Sequence, residues 1–199
     1  MKANKRKWFF CVEVGVGLRR TIIILAVAIS LAGCTRLPQG IQPVDDFDLD
    51  RYLGTWYEIA RLDHRFERGL DNVTAEYSLR DDGGIDVVNR GYSSGDQAWK
   101  EAQGKAYFTG DPATGHLKVS FFGPFYSAYV IFELDKSDYE YAFVCGYNRD
   151  YLWLLARRPS IDEEIIEGFL ERSGSLGFDT DEIIFVPQDR AAEAVQAGQ

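Results

Sequence analysis

Few side chains in this sequence are of the types that carry out nucleophilic, acid–base or metal chemistry. Its two histidines, His64 and His116, lie in different predicted elements, and neither has a metal-ligand partner at a short spacing. No Gly-x-Ser-x-Gly turn supplies a serine nucleophile. Cys145 ends the apolar run Tyr141–Cys145, which favours a small buried hydrophobic residue over a reactive thiol. The sequence predicts no catalytic residue, metal ligand or cofactor, and it indicates surface positions for both histidines.

Cys34 lies in a pattern typical of a covalent modification. It follows a Leu-Ala-Gly sequence, which in turn follows Arg19, Arg20 and the apolar residues 21–30. A basic region before an apolar region too short to span a bilayer is typical of a secretory signal. The end of this segment resembles the bacterial lipobox, in which the cysteine is acylated and becomes the new N-terminus. The resemblance implies a lipid anchor with no transmembrane helix.

The residue after Cys34 bears on where the anchor is sorted. Thr35 stands there instead of an aspartate. By resemblance to bacterial lipoprotein sorting, this implies the outer membrane, with the domain facing the periplasm. An ordinary signal peptide that happens to end near a cysteine is the alternative.

The predicted lipidation site divides the chain into four regions. These are a signal peptide (1–33), a lipid-anchored tether rich in Pro, Gln and Asp (34–50), a folded domain (51–187) and a flexible C-terminal tail (188–199). The signal is long before Arg19, so a translation start at Val14 or Val16 is an alternative to Met1. N-terminal sequencing of the uncleaved precursor distinguishes these starts.

The charge of the chain restricts its partners. The formal net charge is -9, and removing residues 1–33, which carry +5, lowers it to -14. A domain this acidic is repelled by nucleic-acid phosphates and anionic headgroups. We therefore expect no nucleic acid as a partner.

Beyond the tether, apolar and polar residues alternate between turn signals that recur every eight to twelve residues. This pattern predicts eight strands and is typical of an up-and-down barrel or a sandwich. The predicted strands are 54–61, 73–80, 85–92, 98–108, 116–122, 126–134, 139–146 and 151–157. The Asp-Asp-Gly-Gly turn at 81–84 accepts positive φ and predicts a hairpin.

The spacing of apolar residues changes from a strand pattern to a helix pattern after the eighth strand. Ser160 and Glu163 form a predicted capping box for a helix that Gly174 ends. Five apolar residues fall on one face of that helix: Ile161, Ile165, Ile166, Phe169 and Leu170. We expect the helix to pack outside the barrel, and residues 182–186 to add a short final strand at an edge.

Three short motifs, in this order, resemble those of the lipocalin family. Gly54 and Trp56 match the first-strand Gly-x-Trp motif, Asp150 and Tyr151 match the turn before the last strand, and Arg157 matches the third motif. The resemblance implies that the Arg157 guanidinium packs over the Trp56 ring and closes one end of a barrel.

The resemblance extends from residue 46 to about residue 186, and residues 61–69, 117–125 and 150–157 are most similar to bacterial lipocalins. It implies an all-β fold: an eight-stranded antiparallel up-and-down barrel, one C-terminal α-helix packed outside and a short final strand. Such a barrel encloses a cavity just wide enough for one small ligand.

The alternation of side chains along each strand predicts which residues face that cavity. With Trp56 inward, Glu58 and Ala60 also point in. The candidate ligand contacts are Glu58, Tyr77, Tyr126, Val130, Phe132 and Trp153, with Phe66 at the rim. Further inward residues are Val73, Ala75, Leu79, Ala128, Leu134, Tyr151 and Leu155, and further rim residues are Leu70 and Phe125. For each aromatic residue, ordinary barrel packing is the alternative.

Glu58 is the most specific of these candidates. An inward carboxylate in an apolar cavity is costly unless it is protonated, paired or hydrated. It either hydrogen-bonds a ligand headgroup or satisfies a neighbour such as Tyr77.

The resemblance implies a lipid-anchored protein that binds a fatty acid or a lysophospholipid in its barrel and stores or transports it. One alternative is a lipoprotein with a filled barrel whose outer surface binds an envelope partner. A second is an enzyme acting on a bound lipid or carotenoid. A monomer and a homodimer are both open.

Overall fold

Strands with alternating inward and outward side chains close into a barrel. The computed structural model describes residues 35–191 and residue 193. Its strands are β1 (Gly54–Leu62), β2 (Leu70–Leu79), β3 (Ile85–Ser93), β4 (Ala98–Phe108), β5 (His116–Phe122), β6 (Phe125–Leu134), β7 (Tyr141–Cys145), β8 (Leu152–Ala156) and β9 (Ile183–Phe185). Each strand from β1 to β7 pairs antiparallel with the next, and β8 pairs with β1, so these eight strands close into a barrel. The predicted fold class is confirmed.

The barrel wall has an apolar layer on its inner face and another on part of its outer face. Inner-face residues such as Trp56, Tyr77 and Leu155 pack together inside the barrel, and outer-face residues such as Ile59 and Leu154 pack under a helix. The strands of this part of the wall are therefore apolar on both faces.

The helices are short except for the one that covers this outer layer. Between residues 35 and 190 they are α1 (Leu49–Tyr52), α2 (Glu163–Ser175) and a 3₁₀ turn (Thr180–Glu182). The ring of Phe169 in α2 is fully buried, with its centroid 5.1 Å from that of Phe143, so the predicted packing of α2 outside the barrel is confirmed. The predicted capping box is wrong: the N-cap is Asp162, with no side-chain cap bond.

A bulge in β1 corrects one predicted orientation. The pairing of β1 with β8 shifts between Glu58 and Ala60, so that Ile59 and Ala60 both lie in the outer layer. Ala60 was predicted to face inward, which is wrong because the extra residue reverses the alternation. Arg61 consequently pairs with Trp153 and faces inward.

The predicted orientation of β6 is also wrong over most of its length. Val130 and Phe132, with Ala128, lie in the outer layer, and the Phe132 ring stacks on Phe178 at 6.0 Å. The inward residues are Tyr129 and Ile131. Because residues 128–132 are apolar or aromatic on both faces of β6, no polar residue marks the outer face in this stretch of the sequence. A register shift between Ile131 and Glu133 returns Leu134 to the inner layer, as predicted.

Parts of the predicted tether and of the predicted C-terminal tail are bound to the barrel. Ile41, in the predicted tether, is 1% exposed, and the backbone of Val44 bonds to Ile131 and Gly115 at 2.8 Å. At the C-terminal end, Gln188 donates to backbone carbonyls of β1 and β2. The predicted signal peptide, Cys34 and most of the predicted tail lie outside the described residues.

The final strand occupies a specific gap in the sheet. β2 pairs with β1 only along residues 54–57, and β9 pairs antiparallel with β1 at Ala60 to Leu62. The predicted edge strand therefore completes the pairing of β1 near one end of the barrel.

Candidate functional site

One end of the barrel, the floor, is closed by Trp56 and Arg157. The Arg157 guanidinium lies 4.0 Å from the centre of the Trp56 ring, as the resemblance implied. Arg157 also donates to the carbonyls of Leu53 at 3.0 Å and Thr55 at 3.1 Å. Gly54 has φ +92°, which a residue with a Cβ rarely adopts. The Gly-x-Trp motif and Arg157 thus have structural roles.

Three tyrosine hydroxyls form a chain above the floor. The Tyr129 hydroxyl lies 2.7 Å from that of Tyr52 and 2.9 Å from that of Tyr77. Burial raises the pKa of all three phenols, so they stay neutral. Tyr77 faces inward as predicted, and its hydroxyl bonds to that of Tyr129.

The other end of the barrel is the mouth. There Glu58 is paired with Arg61, which strict alternation along β1 would place on the outer face. Oε1 of Glu58 lies 2.6 Å from Nη1 of Arg61, and both side chains are almost fully buried. Nη2 of Arg61 donates to the carbonyls of Glu67 at 3.0 Å and Leu70 at 3.1 Å. Nε of Arg61 is buried and has no partner among the described residues. Glu58 therefore has an internal partner, while Arg61 keeps one free donor.

The loop between β1 and β2 adds a second carboxylate. Oε2 of Glu67 accepts a hydrogen bond from the indole N–H of Trp153 at 3.1 Å and lies 3.0 Å from Nε2 of His64. His64 is only 6% exposed, and its ring centre is 5.2 Å from that of Trp153 and 5.5 Å from that of Tyr151. The predicted surface position of His64 is wrong, because the loop folds against the inward aromatic residues.

The two carboxyl groups of this mouth cluster (Glu58, Arg61, His64, Glu67 and Trp153) have opposite pKa shifts. Burial and the charge of Glu67 raise the pKa of Glu58 well above its usual value, and Arg61 opposes this only in part. Burial also raises the pKa of Glu67, but hydrogen bonding to His64 and Trp153 outweighs it and leaves the pKa lowered. Glu58 thus holds a proton more readily than Glu67 does.

The structure brings only some of the predicted contacts together. Glu58 and Trp153 are linked through Glu67, and Phe66 lies in the adjacent loop with 55% of its surface exposed. Val130 and Phe132 lie under α2, and the ring of Tyr126 lies on the outer wall 6.3 Å from that of Tyr107. These three residues do not share the mouth with Glu58.

Sequence reasoning missed Arg61, Glu67 and His64 as members of the mouth cluster. A signal for them exists: Glu58, Arg61, His64 and Glu67 recur at three-residue steps, and the first two interrupt an otherwise apolar strand. A strict two-residue alternation cannot place Glu58 and Arg61 on one face without a bulge.

Other reactive groups are few in the part of the chain that the structure describes. Burial raises the pKa of the Cys145 thiol to about 12, consistent with its predicted role as a buried hydrophobic residue. Within residues 35–191 and 193, no three His, Cys, Asp or Glu side chains are grouped to hold a metal ion. No helix formed by these residues is long and apolar enough to cross a membrane.

Comparisons with known proteins identify the family. A model described as a lipocalin-like domain matches residues 47–188. The outer membrane lipoprotein Blc of Vibrio cholerae is 56% identical over 169 residues, which are 85% of this chain and 99% of that protein. The protein of the same name from Escherichia coli (strain K12) is 55% identical over 151 residues, which are 76% of this chain and 85% of that protein.

A solved structure agrees on the fold. Insecticyanin from the tobacco hornworm Manduca sexta aligns with a TM-score of 0.63 at 24% identity, over 79% of this chain and 88% of that one. The barrel, its plugged floor, the family match and the identity to bacterial lipoproteins all agree, and the chain belongs to the lipocalin family.

Proposed function

We propose that this lipocalin binds a single acyl chain, from a fatty acid or a lysophospholipid, inside its barrel and stores or transports it in the cell envelope. Lipocalins bind small hydrophobic ligands, and the relatives at 55% and 56% identity are outer membrane lipoproteins. The proposed location is the periplasmic side of the outer membrane, with the anchor on Cys34.

The observation that carries this proposal is the polarity of the barrel along its axis. The inner wall is lined by apolar and aromatic residues such as Val87, Ile131 and Leu155, with the tyrosine hydroxyls near the floor. The buried carboxyl groups and their partners lie at the mouth. An acyl chain laid along this wall gains about 0.8 kcal/mol for each buried methylene. Its polar head then lies beside Arg61 and His64, which have buried nitrogens without a hydrogen-bond partner among the described residues.

Trp153 lies where the apolar wall meets the other residues of the mouth cluster, and its fluorescence is sensitive to both environments. Its ring packs against the inner layer while its indole N–H is bonded to Glu67. Among the ligand contacts predicted from sequence, we retain Glu58, Tyr77, Trp153 and Phe66. Val130, Phe132 and Tyr126 leave the proposed site, and Arg61, His64 and Tyr129 enter it.

The direct test is native mass spectrometry of the lipidated protein after gentle extraction from membranes, followed by titration with lysophospholipid. We expect one bound amphiphile per barrel and a change in tryptophan emission that Trp153→Phe abolishes. Trp99→Phe, on the outside of β4, is the matched control and keeps the response. A protein that carries no lipid and shows no affinity for added lysophospholipid or fatty acid contradicts the proposal.

The second candidate, a filled barrel that acts as an interaction module, has one observation in its favour. Close aromatic packing fills the lower part of the barrel, with the Tyr52 ring centre 4.7 Å from Trp56 and 5.5 Å from Tyr77. The same mass spectrometry separates this candidate from the first, because a filled barrel carries no amphiphile.

A further inference from the structure

The described segment that begins at Thr35 is fixed to one side of the barrel. The Thr35 carbonyl lies 3.1 Å from Nε2 of His116 on β5, and the Gln39 carbonyl accepts a hydrogen bond from Arg149 at 2.7 Å. Ile41 is buried in the outer layer. The backbone of Val44 bonds to that of Ile131 in β6 and to that of Gly115, directly before β5. The segment therefore holds its position on the wall and does not act as a long spacer.

This attachment limits where lipid on Cys34 can lie. Cys34 directly precedes Thr35, and consecutive Cα atoms are about 3.8 Å apart. The lipid anchor that the proposed function places on Cys34 would therefore start one residue from Thr35, whose carbonyl contacts His116 on the outer wall of β5. This step rests on that proposed function. A barrel tethered at this point presents the neighbouring wall to the bilayer.

The wall around His116 has an unusual composition for such an acidic domain. We call it the anchor face and define it by Lys105, Tyr107, His116, Lys118, Phe122 and Tyr126. His116, Lys118 and Phe122 alternate outward on β5, since Leu117 and Val119 lie in the inner layer. Tyr107 pairs with Lys118 across β4 and β5, and Lys105 pairs with Ser120.

Contacts between these side chains make them one continuous surface. The Lys118 ammonium lies 5.3 Å from the centre of the Tyr126 ring, whose centre is 6.3 Å from that of Tyr107. Phe122, near the tip of the β5–β6 hairpin, is 70% exposed. Tyrosine and phenylalanine rings beside lysines are the residues that favour the boundary between headgroups and acyl chains.

The charges of the anchor face are free to meet an anionic surface. Neither Lys105 nor Lys118 has an acidic partner within 4 Å among the described residues. Two acids border the face: Asp82, which accepts a hydrogen bond from the Tyr107 hydroxyl at 3.0 Å, and Asp86, which lies opposite Lys105 on β3. Both of them pair with Arg80. By contrast, the exposed side of α2 carries four glutamates: Glu163, Glu164, Glu167 and Glu171.

We propose that the anchor face is a membrane-docking surface that lies on the leaflet holding the Cys34 lipid, and so fixes the orientation of the barrel on that membrane. The net charge of -14 for the mature chain opposes binding to an anionic surface, so the face docks only when the anchor holds it close. Each lysine near an anionic leaflet then favours this orientation by a factor of about five.

The test uses the full lipidated protein in vesicles of phosphatidylethanolamine and phosphatidylglycerol that contain a lipid with a photoactivatable carbene precursor in its headgroup. Flotation first confirms that the protein is anchored, and mass spectrometry then maps the cross-linked residues. We expect cross-links in residues 105–107 and 116–126 and none in α2 or β9. Cross-links on α2 or β9, an even distribution, failure to float, or cross-links from the anchor face to a second copy of the chain each overturn the proposal.

Charge reversal sharpens this test. The double variant Lys105→Glu and Lys118→Glu keeps the anchor and is expected to lower the yield of lipid cross-links on the face at least fivefold. Lys100→Glu, at the far end of β4 where Lys100 pairs with Asp96, is the matched control and leaves the yield unchanged. An equal effect of both changes contradicts a specific role for the face.

Discussion

The two ends of the barrel are each built from one arginine and one tryptophan, but the surroundings of the two pairs differ. At the floor, Arg157 lies over Trp56 and donates to backbone carbonyls, and the Trp56 indole donates to the Tyr52 carbonyl at 2.8 Å. At the mouth, Arg61 and Trp153 are bonded to carboxylates. Backbone partners fix the floor, whereas the partners at the mouth can change charge.

Because of this difference, we assign stability mainly to the floor and ligand binding mainly to the mouth. No buried nitrogen of the floor pair lacks a hydrogen-bond partner among the described residues, so an acyl ligand has nothing polar to gain there. The mouth retains an unpaired Arg61 Nε and an unpaired His64 Nδ1. We therefore expect substitutions at the floor to change the free energy of unfolding, and substitutions at the mouth to change affinity and pH dependence.

The largest expected effect is at the floor. Trp56→Ala removes a fully buried indole and its contact with Arg157, so the free energy of unfolding should fall by about 3–5 kcal/mol. Urea unfolding followed by circular dichroism measures this. Trp99→Ala, on the outer wall, is the control and should cost less than about 1 kcal/mol. Equal losses in the two variants would show that the floor is not a plug.

The next effect tests the charge pair at the mouth. Arg61→Met leaves the buried Glu58 carboxyl without its cation, and we expect a loss of about 3 kcal/mol in the free energy of unfolding. The double variant Arg61→Met with Glu58→Gln removes the uncompensated carboxyl and should recover part of that loss. Additive losses in this double-mutant cycle would mean that Glu58 and Arg61 do not act as a pair.

Trp153→Ala should separate affinity from stability. We expect lysophospholipid affinity to fall about tenfold, or about 1.4 kcal/mol, because the proposed site loses the aromatic ring beside the ligand head. Trp153 is only partly buried, so thermal stability should stay mostly intact. A collapse of stability with unchanged affinity for the folded fraction would place Trp153 in the core.

The smallest effect is a pH dependence at the mouth. A carboxyl whose pKa is raised in the folded state contributes stability below its unfolded pKa, near 4.5, and loses that contribution as the pH rises through the folded pKa. The glutamine in Glu58→Gln cannot ionise, so this variant avoids that loss. The free energy of unfolding of the variant, minus that of the native chain, should therefore increase from pH 5 to pH 8. Denaturant unfolding at the two pH values measures the difference. No change, or a decline, would show that Glu58 is ionised in the folded protein.

The sequence was sufficient for the parts of the fold that follow from regular repetition. Eight alternating strands, the Gly54 and Trp56 motif with Arg157, and the amphipathic α2 were predicted and are confirmed. These features depend on periods of two and 3.6 residues or on motifs of fixed spacing.

The mouth could be predicted only in part, because its geometry depends on a β-bulge and on the path of a loop. The bulge at Ile59 places Glu58 and Arg61 on the same face, and a strand read as strictly alternating cannot show this. The burial of His64 results from a loop folding onto Trp153, which has no local signature in the sequence. The composition of the N-terminal segment, rich in Pro, Gln and Asp, predicts a tether and gives no sign that Ile41 and Phe47 are buried.

The central claim is that ligand enters at the mouth while the floor stays fixed, and the two indole N–H groups report on these ends separately. In an NMR titration of the ¹⁵N-labelled protein with lysophospholipid, the Trp153 indole signal should shift with saturation, because its bond to Glu67 lies beside the ligand head. The Trp56 indole signal, bonded to the Tyr52 carbonyl, should move little. A shift confined to Trp56, or no shift at Trp153 at saturating ligand, would contradict the account.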